Sequence, residues 1–112
     1  MNEKATSSPA YLIAHLHAKD QADYFQRYGY IVMPLLKKYQ AQVLVASATA
    51  RVLESQSNQN WTVLIQFPSM RLAETFYNCA EYQPLKALRI NELTSGGLVV
   101  MVEGGMPALP EA

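Results

Sequence analysis

From Trp61 to Phe67 the chain alternates: Trp61, Val63, Ile65 and Phe67 fall on one side, with Thr62, Leu64 and Gln66 on the other. A period of two filled largely by β-branched and aromatic residues predicts a strand. Pro68 has no N–H to give a neighbouring strand, and Ser69 can accept a hydrogen bond from the free amides of a helix starting beside it. That helix has Leu72, Ala73, Phe76 and Tyr77 on its inner face, spaced three and four apart, with Arg71, Glu74 and Asn78 outward. A second short helix is expected over Glu81 to Ile90, with Tyr82, Leu85 and Leu88 inward and Pro84 acceptable in its first turn.

Nearer the N-terminus, AYLIAHLHA predicts a strand with Tyr11, Ile13, His15 and His17 on one face and Leu12, Ala14 and Leu16 on the other. Asp20 can cap a helix beginning at Gln21, and Asp23 suits its positive end. Tyr24, Tyr28, Ile31, Leu35 and Tyr39 form the apolar stripe, flanked by Phe25, Val32 and Leu36; Pro34 is expected to kink the helix. QVLVASATARVLES has strand character at Val43 to Val45 and again at Arg51 to Leu53, joined by small residues that suggest a bend or bulge. Ser55 to Asn60 is a polar turn, TSGG a flexible connection, and Leu98 to Glu103 the last strand.

The order strand, helix, strand, strand, helix, strand is that of the ferredoxin-like α+β fold, one antiparallel sheet with two main helices on one face. The last strand is apolar on both sides: Leu98, Val100 and Val102 lie on one, Val99 and Met101 on the other. Two helices cover one face of a sheet, so the second face is expected to pack against the sheet of another copy in a two-fold homodimer.

Composition sharpens this picture. One domain fits 112 residues, with 1–9 and 105–112 read as tails around a domain at 10–104. Nine basic against nine acidic residues leave no basic stripe to track phosphates, which speaks against nucleic-acid binding. Near-zero net charge also favours self-association. MNEKATSSPA has no apolar core and no later run could span a bilayer, so a cytoplasmic protein without a membrane partner is expected. Cys79 is alone and has no disulfide partner within the chain; it reads as a small side chain between two helical segments.

Tyr11 to Asp20, Phe67-Pro68-Ser69, Phe76-Tyr77, Glu81-Tyr82-Gln83, the LKALR ending at Arg89 and Val102-Glu103-Gly104 together resemble the domain-of-unknown-function family thirteen-thirty. The resemblance runs from Tyr11 to Gly104. It implies a ferredoxin-like protomer and a dimeric α+β barrel, and no established reaction, although the wider superfamily includes cofactor-free oxygenases, isomerases and haem enzymes. Where the family usually has paired glycines after Lys38-Tyr39, this chain has Gln40-Ala41.

Candidate chemistry is sparse. His15, a position where the family pattern often has histidine, is the candidate catalytic residue, able to move protons near neutral pH. His15 and His17 project from one strand face as a metal-binding pair would, but no third histidine exists, so no metal and no cofactor are assigned. Arg89, at a helix C-terminus, could hold a carboxylate or enolate, with Tyr82 as a hydrogen-bond donor and Glu54 and Gln66 as lesser candidates; Tyr24, Tyr28, Tyr39 and Tyr77 read as core. His15 and Arg89 are expected to share an apolar cavity between sheet and helices that binds or transforms a small anionic or enolisable molecule. The alternative is a non-catalytic dimeric interaction module.

Overall fold

The computed structural model describes residues 8–105. The expected tails, 1–9 and 105–112, fall outside it except at their inner ends. Four strands, β1 (Ala10–Ala18), β2 (Gln42–Ser47), β3 (Trp61–Phe67) and β4 (Thr94–Glu103), form one sheet in the order β2-β3-β1-β4. Every neighbouring pair is antiparallel. The helices are α1 (Gln21–Tyr24), α2 (Tyr30–Lys38), α3 (Met70–Asn78) and α4 (Gln83–Leu88). This is the expected split βαβ topology.

The two-residue period of the strands decides which side is covered. Leu12, Ala14 and Leu16 of β1 and Trp61, Ile65 and Phe67 of β3 are buried beneath the helices, with Val99 and Met101 of β4 packed against them. Both predicted caps are present: Asp20 Oδ1 accepts from the Asp23 amide at 3.0 Å, and Ser69 Oγ from the Leu72 amide at 3.2 Å.

The opposite face carries no helix among the described residues. Strand register sets Val45, Leu64, Ile13 and Val100 in one apolar row across all four strands. Ser47, Thr62, His15 and Leu98 form the next row, and Gln42, Gln66, Tyr11 and Val102 a third on the far side. Leu98 is 55% exposed and Val102 46% exposed, unusual for strand residues of this type.

Four expectations need correction. The first helical region is not uniformly α: Phe25–Gly29 winds as a π turn before α2 resumes. That turn takes up an extra residue, so the apolar stripe advances from Tyr28 to Val32, and Ile31 turns to solvent. The irregularity thus precedes Pro34, and α2 runs on through the proline to Lys38. Arg51 to Leu53 is not a strand. There β2 already forms the outer edge of the sheet, and Leu53, 90% exposed, finds no partner.

Likewise, TSGG is no flexible connection but the start of β4. Gly97 adopts φ +126°, and a Cβ there would lie 2.4 Å from the carbonyl oxygen of His15. Only glycine permits so close an approach, beside the register shift between Leu16 and Ala18. Asn60 closes the same end of β1, accepting from the Ala18 amide at 2.8 Å and donating to the Ala18 carbonyl at 3.0 Å.

The end of α2 shows where a sequence departure matters. The Ala41 amide donates to the Leu36 carbonyl and the Gln40 amide to the Lys37 carbonyl, the paired bonds of a Schellman cap. Gln40 therefore takes the left-handed position, at φ 63°, which glycine occupies without steric cost. Gln40→Gly is expected to stabilise the protein by about 0.5–1 kcal/mol, as the strain relieved exceeds the entropy added to the unfolded chain. Urea denaturation checks this; a lower midpoint at unchanged slope would show that the side chain matters more than the strain.

Candidate functional site

Between the covered sheet face and the helices lies a cavity of about 380 Å³. Its walls are apolar and aromatic, from Leu12, Ala14 and Leu16 on the sheet to Phe25, Trp61 and Phe76. Tyr30 and Met33, both lining it and both substantially exposed, mark its mouth. Phe25 stacks on Tyr30 with ring centroids 5.6 Å apart and meets Trp61 edge-on at 5.1 Å, forming one aromatic wall.

Among the described residues one permanent charge faces this space. Arg89 follows α4 and opens a second π turn, Arg89–Leu93. The Thr94 hydroxyl donates to the Arg89 carbonyl at 2.8 Å, as does the Thr94 backbone amide, which fixes the arginine's backbone where helix passes into β4. Its side chain turns inward: Arg89 is 5% exposed and lines the cavity. No carboxylate among the described residues lies within ion-pairing distance of it. A buried cation without a counter-ion is expensive in a medium of low polarizability, so its presence asks for an explanation.

Phenols supply part of its surroundings. Tyr28 and Tyr82 place their hydroxyls 2.7 Å apart, and the Arg89 guanidinium carbon lies 5.9 Å from the centre of the Tyr28 ring, within cation–π range. Tyr24 packs against Tyr28 at 5.2 Å and meets Trp61 edge-on at 6.2 Å. Burial pushes the Tyr24 hydroxyl up to about 12, against the opposing pull of Arg89. Burial, reinforced by Tyr82 and Tyr24, holds Tyr28 well above the ordinary phenol value. For Arg89 burial alone acts to remove the charge, but Tyr82 and Tyr28 outweigh it and its titration moves above the ordinary arginine range. At neutral pH Arg89 therefore keeps its charge and Tyr24 and Tyr28 keep their protons.

No Asp, Glu, His, Lys or Cys lines the cavity among the described residues. It therefore offers positive charge and hydrogen-bond donors but no side chain that acts as a base at neutral pH.

The structure brings together two of the residues singled out in the sequence, Arg89 and Tyr82, and separates the others. His15 lies on the opposite face of the sheet, its Nδ1 3.2 Å from Thr62 Oγ1. The expectation that His15 and Arg89 share a cavity fails, because the odd positions of β1 face away from the helices and the even ones toward them. His17 Nδ1 donates to the Asn58 carbonyl at 2.7 Å. Glu54 stands exposed in the segment after β2, and Gln66 sits on the open face. Among the described residues no group of three or more His, Cys, Asp or Glu side chains could hold a metal ion. Tyr24 and Tyr28, read from sequence as core, are buried and also line the site. Their helical spacing carries no mark distinguishing a phenol that meets a cavity from one that meets packed neighbours.

Both π turns border the site. Arg27, in the first, reaches Glu92, in the second, at 2.7 Å and Asp23 at 3.1 Å, tying the two together across the surface. Such turns recur where a helix is bent to a functional purpose.

Fold and site together define a small α+β protein of ferredoxin-like topology with a cationic, aromatic cavity between sheet and helices. The family profile described as Domain of unknown function (DUF1330) matches residues 9–104, and the chain belongs to that family. No curated protein matches the sequence. Among solved structures it is similar to a protein of unknown function from Rhodopseudomonas palustris, with a TM-score of 0.71 at 12% identity over 90% of this chain and 85% of that one. The methylated form of that protein gives 0.72 at 11% identity, over 92% and 85%. A dimeric ferredoxin-like protein of unknown function from Thermobifida fusca gives 0.50 at 11% identity, over 87% and 92%. At these identities the likeness concerns the fold. Among the described residues no helix is long and apolar enough to cross a membrane.

Proposed function

We propose that this protein binds a small organic anion with a planar apolar body in the cavity between its sheet and helices, and that it does so as a homodimer joined through the open sheet face. The observation that carries the binding reading is Arg89, buried at the wall of an apolar cavity with no carboxylate beside it among the described residues. A ligand anion is the counter-ion the fold leaves out. Tyr82 contributes a hydroxyl at the same wall, and the rings of Phe25 and Trp61 suit a flat ligand. His15 and Glu54 have no part in this site. The dimer reading rests on the apolar row Val45, Leu64, Ile13 and Val100 on a face without helices, and the description of the Thermobifida fusca structure as dimeric agrees with it.

Ligands matched in shape and differing in charge test the binding reading. Benzoate is expected to raise the melting temperature at millimolar concentration and to bind about ten- to a hundredfold more tightly than benzyl alcohol, the value of one charge-assisted hydrogen bond. Equal affinities for the two, measured by calorimetry, would reduce the cavity to an apolar hole and remove Arg89 from the account.

A further inference from the structure

We propose that the cavity takes weakly acidic ligands, phenols and enols, and holds them as their conjugate bases at neutral pH. This deepens the anion-binding reading and rests on it. A carboxylic acid is already ionised at neutral pH and gains only a partner from Arg89; a phenol or enol is neutral in water and gains its charge in the site.

Three features favour that class. The guanidinium is buried with no carboxylate beside it among the described residues; Tyr24 and Tyr28, which do not hydrogen-bond to it, are held protonated by burial, whereas a ligand oxygen in direct contact with it would meet its field unneutralised and little screened by water. The Tyr28 and Tyr82 hydroxyls, 2.7 Å apart, use one hydrogen between them, which leaves the other free to donate to a ligand oxygen. The rest of the wall is apolar and aromatic, with Phe25, Trp61 and Tyr24 among its rings. A carboxylate concentrates its charge on two oxygens that want several donors each, more than this wall supplies. A phenolate or enolate spreads its charge over a planar body, loses less hydration, and stacks on those rings.

The proton balance is simple. The ligand O–H bond breaks heterolytically, the electron pair stays on oxygen beside Arg89, and nothing is oxidised or reduced. Among the described residues no side chain lining the cavity is a base at neutral pH, so the proton leaves to solvent water by way of the mouth at Tyr30 and Met33. The product is an electron-rich oxygen anion whose conjugated carbon is activated as a nucleophile.

The test uses 4-nitrophenol, whose phenolate absorbs in the visible and whose neutral form does not, in a buffer acidic enough that the free compound is mostly neutral. Trp61 is the only tryptophan of the chain and lines the cavity, so quenching of its emission reports occupancy independently of ionisation. 4-Nitroanisole, with nearly the same body and no acidic proton, serves as the control for occupancy. The bound phenol is expected to show an ionised-to-neutral ratio about ten- to a thousandfold above the free one, the range for an opposite charge at contact. In Arg89→Met that ratio is expected to fall to the solution value while 4-nitroanisole still quenches Trp61; Arg89→Lys, which keeps the charge, is expected to retain part of the effect.

Quenching by 4-nitrophenol with an unshifted spectrum would overturn this proposal and leave anion binding standing, as would benzoate binding without any binding of the phenol. Failure of benzoate, 4-nitrophenol and 4-nitroanisole alike to bind would overturn both.

Discussion

Arg89→Met is expected to make the protein more stable and its cavity indifferent to charge. Met fills nearly the volume of the arginine stem, is flexible enough to settle among rings, and brings no charge to desolvate. Because Arg89 is buried and has no carboxylate partner among the described residues, its removal forfeits no ion pair there. It gives up a cation–π contact with Tyr28 and lifts the desolvation of the guanidinium, the largest single influence on it, which Tyr82 and Tyr28 offset by charge only at a pH where they carry one. A gain of about 1–3 kcal/mol is expected, which for a domain of this size is several degrees in melting temperature. The same variant is expected to lose the ten- to hundredfold preference for benzoate over benzyl alcohol, at about 1.5–3 kcal/mol for a charge-assisted bond. A protein that tolerates an unfavourable group at a binding site and improves in stability without it shows the ordinary conflict between function and stability. Destabilisation by Arg89→Met would instead make Arg89 a structural residue that holds the phenol cluster together.

The second large effect concerns the open face. Wild-type protein is expected to run as a dimer in size exclusion with light scattering, and Ile13→Asp as a folded monomer. Ile13 stands between Leu64 and Val100 in the central row of the sheet, where a carboxylate would be buried against a second copy without a partner. A penalty of about 3 kcal/mol in each subunit amounts to roughly four powers of ten in dissociation constant. In the free monomer that position faces water, so the circular dichroism spectrum is expected to stay as it is. A wild-type monomer at micromolar concentration would end the dimer reading.

Much of this architecture is legible in the residues because it follows from periodicity and caps. Trp61 to Phe67 alternates cleanly, and Asp20 and Ser69 mark helix starts by chemistry that involves only the next three residues. What escaped depends on contacts between distant segments. Nothing local shows that Gly97 must lie against the backbone of His15, so TSGG reads as a connection. Nothing local shows that β2 is the edge of the sheet, so Arg51 to Leu53 reads as a further strand.

The site was legible in half. Arg89 after Leu85 and Leu88 suggested an inward cation, and Tyr82 a nearby donor. Their companions Tyr24 and Tyr28 were hidden, since a helical stripe looks the same above a core and above a cavity. His15 is the candidate on the family pattern and the proton chemistry of imidazole, and because both faces of β1 carry apolar residues, alternation does not say which of them the helices cover.

Each π turn holds one residue more than regular helical winding needs, and this gives the chain an uneven tolerance to changes of length. Deleting one residue from Phe25–Gly29 would let the helix close as an unbroken α-helix, with its hydrogen-bond ladder intact and its junction to β2 preserved. The damage would be local: the turn already absorbs the extra residue, so the flanking segments keep their facing, and what is lost is a residue of the turn itself. The turn supplies Phe25, Tyr28 and Gly29 to the cavity wall, and a regular closed turn could no longer set all three there. In this part of the molecule an insertion and a cavity are the same feature, so homologues one residue shorter here would share the fold without sharing the ligand.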